Sequence, residues 1–298
     1  MTGITWIASY PKSGNTWVRL FLANLFHNGS DPASIDEVAR YTLGDSSRAH
    51  YEKVAGGPIG DPSPARLVKL RFAFQKALAR TRADVLLCKT HWPRTNLYGQ
   101  SFLDAGSTAG AIYIVRDPRD LAVSLAHHMD LSFDAAIRWL GSPDTVSKGQ
   151  GAKVREYFGD WSSHVESWAA GTAFPVCVVR YEDLLADPEG EFGRIMAFLK
   201  IPSDPDRLSR AVRFSAFDVA RDQEDRTGFK ESTSHGNRFF RQGRAGIAST
   251  VLTPAQIARI ESDHGRAMRA LGYKLGERDG DHSTGAPVVD PGGTDRRS

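Results

Sequence analysis

The chain has 298 residues, 41% of them hydrophobic and 24% charged, with a formal net charge of +3. That is ordinary globular composition, enough for a substantial core in one large domain or two small ones. A charge this close to neutral gives no electrostatic footprint for nucleic acid, and no apolar run is long and uncharged enough for a membrane-spanning enzyme.

In chain order, Ile4–Ser9 is a short apolar run that predicts a buried strand. It stops at Tyr10-Pro11-Lys12-Ser13-Gly14-Asn15-Thr16, and a second apolar run with a different period starts at Trp17. A strand, a short loop and a helix N-terminus leave backbone N–H groups pointing outward, and the helix dipole favours an anion there. Gly14 lets the backbone approach such a ligand, Ser13, Asn15 and Thr16 can donate hydrogen bonds, and Lys12 adds a full charge. The loop is not a Walker A motif, because its lysine precedes its only glycine. On these residues alone it is a phosphate site or a capped strand–helix turn.

Arg66–Arg80 reads as an amphipathic helix. Val85–Cys88 predicts a second strand, ending at Lys89-Thr90-His91, and Ala111–Val115 a third, ending at Arg116-Asp117. A helix over Asp120–Met129 follows. Val154–Ala170 puts Tyr157, Trp161, Val165 and Trp168 at helical spacing, which predicts a core-facing helix. Pro175–Val179 predicts a fourth strand, ending at Arg180-Tyr181-Glu182, and helices are expected over Phe192–Leu199 and Pro254–Leu271. The two cysteines, Cys88 and Cys177, lie inside apolar runs and read as buried structural thiols. Residues 276–298 are rich in Gly, Asp, Ser and Pro and read as a disordered tail. Their three arginines and five acids sum to −2, so residues 1–275, read as the folded domain, carry +5.

Strands alternating with helices predict an α/β fold: a single domain with a central, mainly parallel sheet flanked by helices. Ligands of such sheets bind outside the carboxyl ends of the strands. A lysine or arginine leaving one strand usually just meets water. Four strand ends that each present a cation or a hydrogen-bonding group argue for one shared crevice.

"YPKSGNTW" resembles the 5′-phosphosulfate loop of the sulfotransferases that use 3′-phosphoadenosine 5′-phosphosulfate (PAPS), with Asn15 where the family usually has Thr. "YIVRDPRDLAVSLAHH" resembles their 3′-phosphate motif, an Arg with a Ser eight positions later, here Arg116 and Ser124. "VVRYEDL" supplies Tyr181 for the adenine, and "RFFRQGRAG" resembles the late loop, with Arg241, Gln242 and Gly243 on the 3′-phosphate. Gln242 replaces a cation of the family, for which Arg244 can compensate. The resemblance covers Ile4 to about Thr253 and implies a P-loop-kinase-like nucleotide-binding core. The dimer signature of many relatives, Lys-x-x-x-Thr-Val, is not recognisable, so oligomeric state stays open.

The resemblance implies a cytoplasmic enzyme that moves a sulfuryl group from PAPS, leaving 3′,5′-adenosine bisphosphate (PAP), to a hydroxyl or amine of a small-molecule acceptor such as a phenol. It implies His91 as general base, Lys12 on the leaving phosphate, Lys89 beside the sulfuryl oxygens and no metal. Trp17 either stacks on the adenine or anchors the first helix in the core. His127 and His128 read as pocket rim or surface, and Ser215 and Phe217 as possible nucleotide contacts. The segments without motifs, Tyr41–Gly60, Trp92–Tyr98 and Met129–Gly151, are expected to line the acceptor site. Two other readings stay in play: an ATP-dependent kinase, which the loop contradicts, and a non-catalytic nucleotide-binding module.

Overall fold

The computed structural model describes residues 3–80, 86–97, 99–149, 151–171, 173–229, 231, 238–241 and 243–276. Strand β1 (Ile4–Ser9) is buried at every position, which is why its sequence is an unbroken apolar run and not an alternating one. It is followed in the chain by β2 (Leu43–Gly44), β3 (Leu86–Thr90), β4 (Thr108–Val115) and β5 (Val176–Arg180). These form one parallel sheet in the order β2-β3-β1-β4-β5, with β1 at its centre. Ala8 pairs with Thr90 on one side and Tyr113 on the other, and Val115 pairs with Arg180. That register brings the polar ends of β1, β3, β4 and β5 to one edge of the molecule.

Helices cover both faces: α1 (Asn15–His27), α2 (Pro64–Arg80), α3 (Pro118–Met129), α4 (Phe133–Gly141), α5 (Trp161–Ala169), α6 (Pro188–Phe198), α7 (Phe217–Thr227) and α8 (Pro254–Ala270). Alternation along the strands assigns the faces. Trp6, Ala8, Tyr113 and Val115 pack with residues of α3, α4, α5 and α8, while Ile7, Ile112, Ile114 and Val179 pack with α1 and α6. Across the second face Phe21 stacks on Phe192 with ring centroids 4.0 Å apart. Local chemistry sets the helix starts. Asp117 accepts from the Arg119 N–H ahead of Pro118 in the first turn of α3, and Thr253 and Gln256 form a capping box at α8. Both cysteines are free and buried.

Two expectations need correction. Among the described residues the sheet has five strands and not four, because β2 is two residues long and leaves no apolar run to read. Residues 154–160 are not helical: Gly159 takes φ 67°, Asp160 caps α5 by accepting from the Ser163 N–H, and the helix starts at Trp161. Tyr157 instead pairs in extended conformation with Val146 and packs its ring 5.3 Å from that of Trp92. Its place in the core was legible, its helix was not. Val85 and the tail from residue 277 lie outside the described residues.

Candidate active site

The turn from β1 into α1 is built on two left-handed residues, Lys12 at φ 71° and Gly14 at φ 105°. The Ser13 N–H donates to the Tyr10 carbonyl at 3.3 Å, and the Trp17 and Val18 N–H groups to the Gly14 carbonyl at 3.0 and 3.3 Å. The N–H groups of Gly14, Asn15 and Thr16 are therefore first-turn donors available to an anion. Glycine is required at position 14 for two reasons. A side chain at that φ is strained, and a Cβ would lie 2.6 Å from the Tyr181 ring. Gly14→Ala should therefore displace Tyr181 or open the turn, and weaken PAP binding at least about ten-fold, equivalent to about 1.4 kcal/mol, in isothermal titration. Unchanged affinity would mean that the turn does not hold the nucleotide.

The loop side chains divide by direction. Lys12 reaches into a cavity, with Nζ 3.4 Å from His128 Nδ1 and 4.1 Å from the centre of the Phe239 ring. Burial, with Arg116 and Lys89 nearby, lowers its pKa to about 8. Thr16 and Trp17 also line the cavity. Asn15 turns its amide back onto the sheet, donating to the Ile7 carbonyl at 2.9 Å and to Ser9 Oγ at 3.3 Å. The Ser13 hydroxyl is buried and finds no partner among the described residues. Trp17 does two things at once: it faces the cavity and packs edge-on against Tyr181 and Phe192, at 5.9 and 5.5 Å.

His91, at the end of β3, places Nδ1 2.8 Å from the Ser9 carbonyl. A carbonyl only accepts, so Nδ1 carries the proton and Nε2 keeps a lone pair. Burial first and the Lys89 charge second hold His91 well below the usual imidazole range, so the ring is neutral at physiological pH. Behind it, His164 bridges the His91 carbonyl, 3.1 Å from Nε2, and the Tyr113 hydroxyl, 2.9 Å from Nδ1.

Arg116, at the end of β4, donates to the Lys12 carbonyl at 3.3 Å and to the Arg244 carbonyl at 3.0 Å, and lies 4.5 Å over the Tyr181 ring. Its Nε is buried without a partner among the described residues. Ser124 and His128, on α3, line the same cavity, as do Ser215, Phe217, Arg241 and Gly243. Gly243 sits at φ 58° with the Phe217 ring 2.5 Å from where a Cβ would be. Glu224 accepts from the N–H groups of Phe239 and Phe240, and Asp120 from those of Gly246 and Ala248, so two carboxylates tether the late loop at either end. Gln242 lies outside the described residues. His127 packs edge-on against Phe133, 6.0 Å between ring centres, and is absent from the cavity lining.

Sequence reasoning missed several groups. Arg19 of α1, 2% exposed, meets both oxygens of Glu231 at 3.0 and 2.8 Å, and Lys89 Nζ lies 3.5 Å from the same carboxylate. Burial opposes ionisation of Glu231, but Lys89 and Arg19 hold its carboxyl far below the usual range. The signal for Arg19 was present: one arginine within "WVRLFLANLF" must be paired once that face is buried. Nothing marked Glu231. Ser46, Met129, Trp139 and Ser147 line the cavity from two of the segments expected to do so, Tyr41–Gly60 and Met129–Gly151, whereas no described residue of Trp92–Tyr98 lines it; Lys153 and Glu156, outside those segments, were missed.

The cavity has a volume of about 490 Å³. It joins the helix N-terminus, two cationic strand ends and a neutral histidine. Among the described residues no group of three or more His, Cys, Asp or Glu is placed to hold a metal ion, and no helix is long and apolar enough to cross a membrane.

Solved structures share this arrangement of elements. Mouse sulfotransferase SULT7A1, complexed with PAP, superposes with a TM-score of 0.58 at 21% identity, covering 90% of this chain and 85% of that one. Retinol dehydratase, in complex with androsterone and PAP, gives a TM-score of 0.62 at 19% identity, covering 92% and 82%. In sequence, the chain is 26% identical to dog sulfotransferase 1A1 over 278 residues, 90% of this chain and 84% of that protein. It is 27% identical to mouse sulfotransferase 2A1 over 255 residues, 84% and 79% of the two chains. The family model for the sulfotransferase domain matches residues 4–272, a span that contains the phosphate-type loop, the cationic strand ends and His91 alike. The chain belongs to the sulfotransferase family.

Proposed function

We propose that this enzyme transfers the sulfuryl group of PAPS to a hydroxyl, or an amine, of a small-molecule acceptor by in-line displacement. The observation that carries the reading is His91. Its Nδ1 proton is committed to the Ser9 carbonyl, so its neutral Nε2 is left to accept a proton in the cavity that also holds Lys12 and Lys89. The acceptor oxygen bonds to sulfur as the bond from sulfur to the 5′-phosphate oxygen breaks. The acceptor proton passes to His91 Nε2, and the electron pair stays on the leaving phosphate opposite Lys12. Lys89 faces the sulfuryl oxygens. Such a transfer depends on positioning and electrostatics more than on covalent chemistry.

PAP in the neighbouring structures supports the same nucleotide here, with the 5′-phosphate on the Lys12–Thr16 turn. Arg116, Ser124, Arg241 and Gly243, with Gln242 from outside the described residues, would hold the 3′-phosphate, and Tyr181 and Trp17 the adenine. The orphaned Nε of Arg116 fits a ligand that supplies an acceptor. We read residues 1–275 as one sulfotransferase domain and 276–298 as a tail, and we place the enzyme in the cytoplasm.

Thermal shift tests this. PAP should stabilise the protein far more than ADP does, because only PAP fills two phosphate sites. At a concentration 100 times its Kd, a ligand contributes roughly 2.7 kcal/mol. Equal stabilisation by the two nucleotides would remove the 3′-phosphate assignment and favour the kinase reading. PAP binding with no turnover of radiolabelled PAPS across an acceptor library would leave a non-catalytic module.

A further inference from the structure

Ser46, Ser147, Lys153 and Glu156 are polar cavity residues without a part in the proposed transfer. They form one wall. Ser47 pairs with Lys153 and Val146 with Tyr157 in antiparallel bridges, the Val154 N–H donates to the Ser46 carbonyl at 2.8 Å, and the Glu156 N–H donates to Ser147 Oγ at 2.8 Å. The wall lines the same cavity as His91 and Lys89. The Glu156 carboxylate makes no hydrogen bond to a donor, and no ion pair within 4.0 Å, among the described residues. Burial, with Asp45 nearby, raises its pKa, while Lys89, Lys153 and Arg71 oppose the rise. Trp139 and Phe158, with ring centres 5.4 Å apart, supply an aromatic floor beside it, and the Phe158 ring is 6.5 Å from that of His91.

A wholly apolar acceptor would strip water from this carboxylate and return no donor to it. A molecule with several hydroxyls restores those bonds, since each hydroxyl can donate to a carboxylate or a serine, while Lys153 stays exposed beside it. The C–H face of a saturated ring packs on the aromatic floor. We propose that the acceptor is a polyhydroxylated ring of the pyranoside class, with one hydroxyl delivered to His91 and another donating to Glu156. This rests on the sulfotransferase reading and names the acceptor class of that site.

The test pairs acceptors that share a six-membered ring and a hydroxymethyl group. Methyl glucopyranoside and methyl galactopyranoside carry ring hydroxyls, and cyclohexylmethanol does not; 2-naphthol completes the panel. With radiolabelled PAPS, the better pyranoside should exceed cyclohexylmethanol at least ten-fold in kcat/KM. Glu156→Leu should lower pyranoside kcat/KM at least ten-fold and raise that for cyclohexylmethanol, and stabilisation of the variant by PAP reports that it is folded. Should Glu156→Leu fail to fold, Glu156→Gln serves, with the pyranoside preference expected to narrow. Preference of the wild type for cyclohexylmethanol or 2-naphthol, or no sulfation of either pyranoside, overturns the proposal and leaves the sulfotransferase reading standing. Loss of that reading would show separately, as absence of stabilisation by PAP.

Discussion

Lys12→Ala should lose nucleotide affinity and turnover together. Lys12 belongs to the turn that carries the helix-start donors, and its Nζ reaches into the cavity, so on the proposed reading its charge would meet the ground-state phosphosulfate as well as the charge that builds on the leaving phosphate. The loss should be visible with PAP alone, by titration, before any chemistry. The depressed pKa adds a second readout. In the free protein Lys12 loses its proton near pH 8, whereas an anion on the turn favours the protonated form. Below pH 8 the charge is already present and PAP affinity should be flat. Above pH 8 each unit of pH should weaken binding up to about ten-fold, or 1.36 kcal/mol, until the bound-state pKa is reached. In Lys12→Ala that alkaline fall should vanish. An alkaline limb that persists unchanged in the variant would assign the titration to another group.

His91→Ala should do the opposite: PAP affinity nearly intact and turnover down roughly 10²–10⁴-fold, the usual worth of a positioned general base. An acidic phenol, already partly ionised, should recover part of that loss, and the same phenol should not restore nucleotide binding to Lys12→Ala. Because burial and Lys89 keep the imidazole neutral, wild-type kcat/KM should stay level as the pH falls through about 6.5, where an ordinary histidine would titrate. Normal turnover of a weakly acidic alcohol by His91→Ala would remove His91 as the base. His128, which lines the same cavity 3.4 Å from Lys12 Nζ, would then be the next candidate.

His91 is also held from behind. His164, itself bonded to the Tyr113 hydroxyl, holds the His91 carbonyl from the core side, and the Ser9 carbonyl of β1 holds the ring. His91 is thus fixed by three elements, β1, β4 and α5, none of which is local to it in sequence. Were His91 the base, this preorganisation would place its proton acceptor without rearrangement at the moment of transfer.

What the sequence by itself determined is whatever depends on near neighbours in the chain. The apolar runs ending at Ser9, Cys88, Val115 and Val179 located four of the five strands, because a strand buried on both faces must be apolar throughout. The turn at Lys12–Thr16 was legible as a strand–helix joint because a glycine and small polar residues interrupt two apolar runs of different period there. Arg116 was legible as the polar end of an apolar run, and its pairing with Ser124 only through the resemblance to the 3′-phosphate motif. Tertiary structure decided the rest. Asn15 could serve a ligand or the sheet, and only packing of α1 on β1 turned its amide to the Ile7 carbonyl. The helical spacing of Tyr157 was real, but pairing with Val146 and the left-handed Gly159 outweighed it. Glu231 sits 212 residues from Arg19 and meets it through a contact that no local pattern encodes. The cavity wall of Ser46, Ser147, Lys153 and Glu156, likewise, is made by two segments about 100 residues apart, brought together by the Ser47–Lys153 bridge. Long-range pairing of this kind is set by the summed burial of the whole chain, so residue type at one position does not announce it.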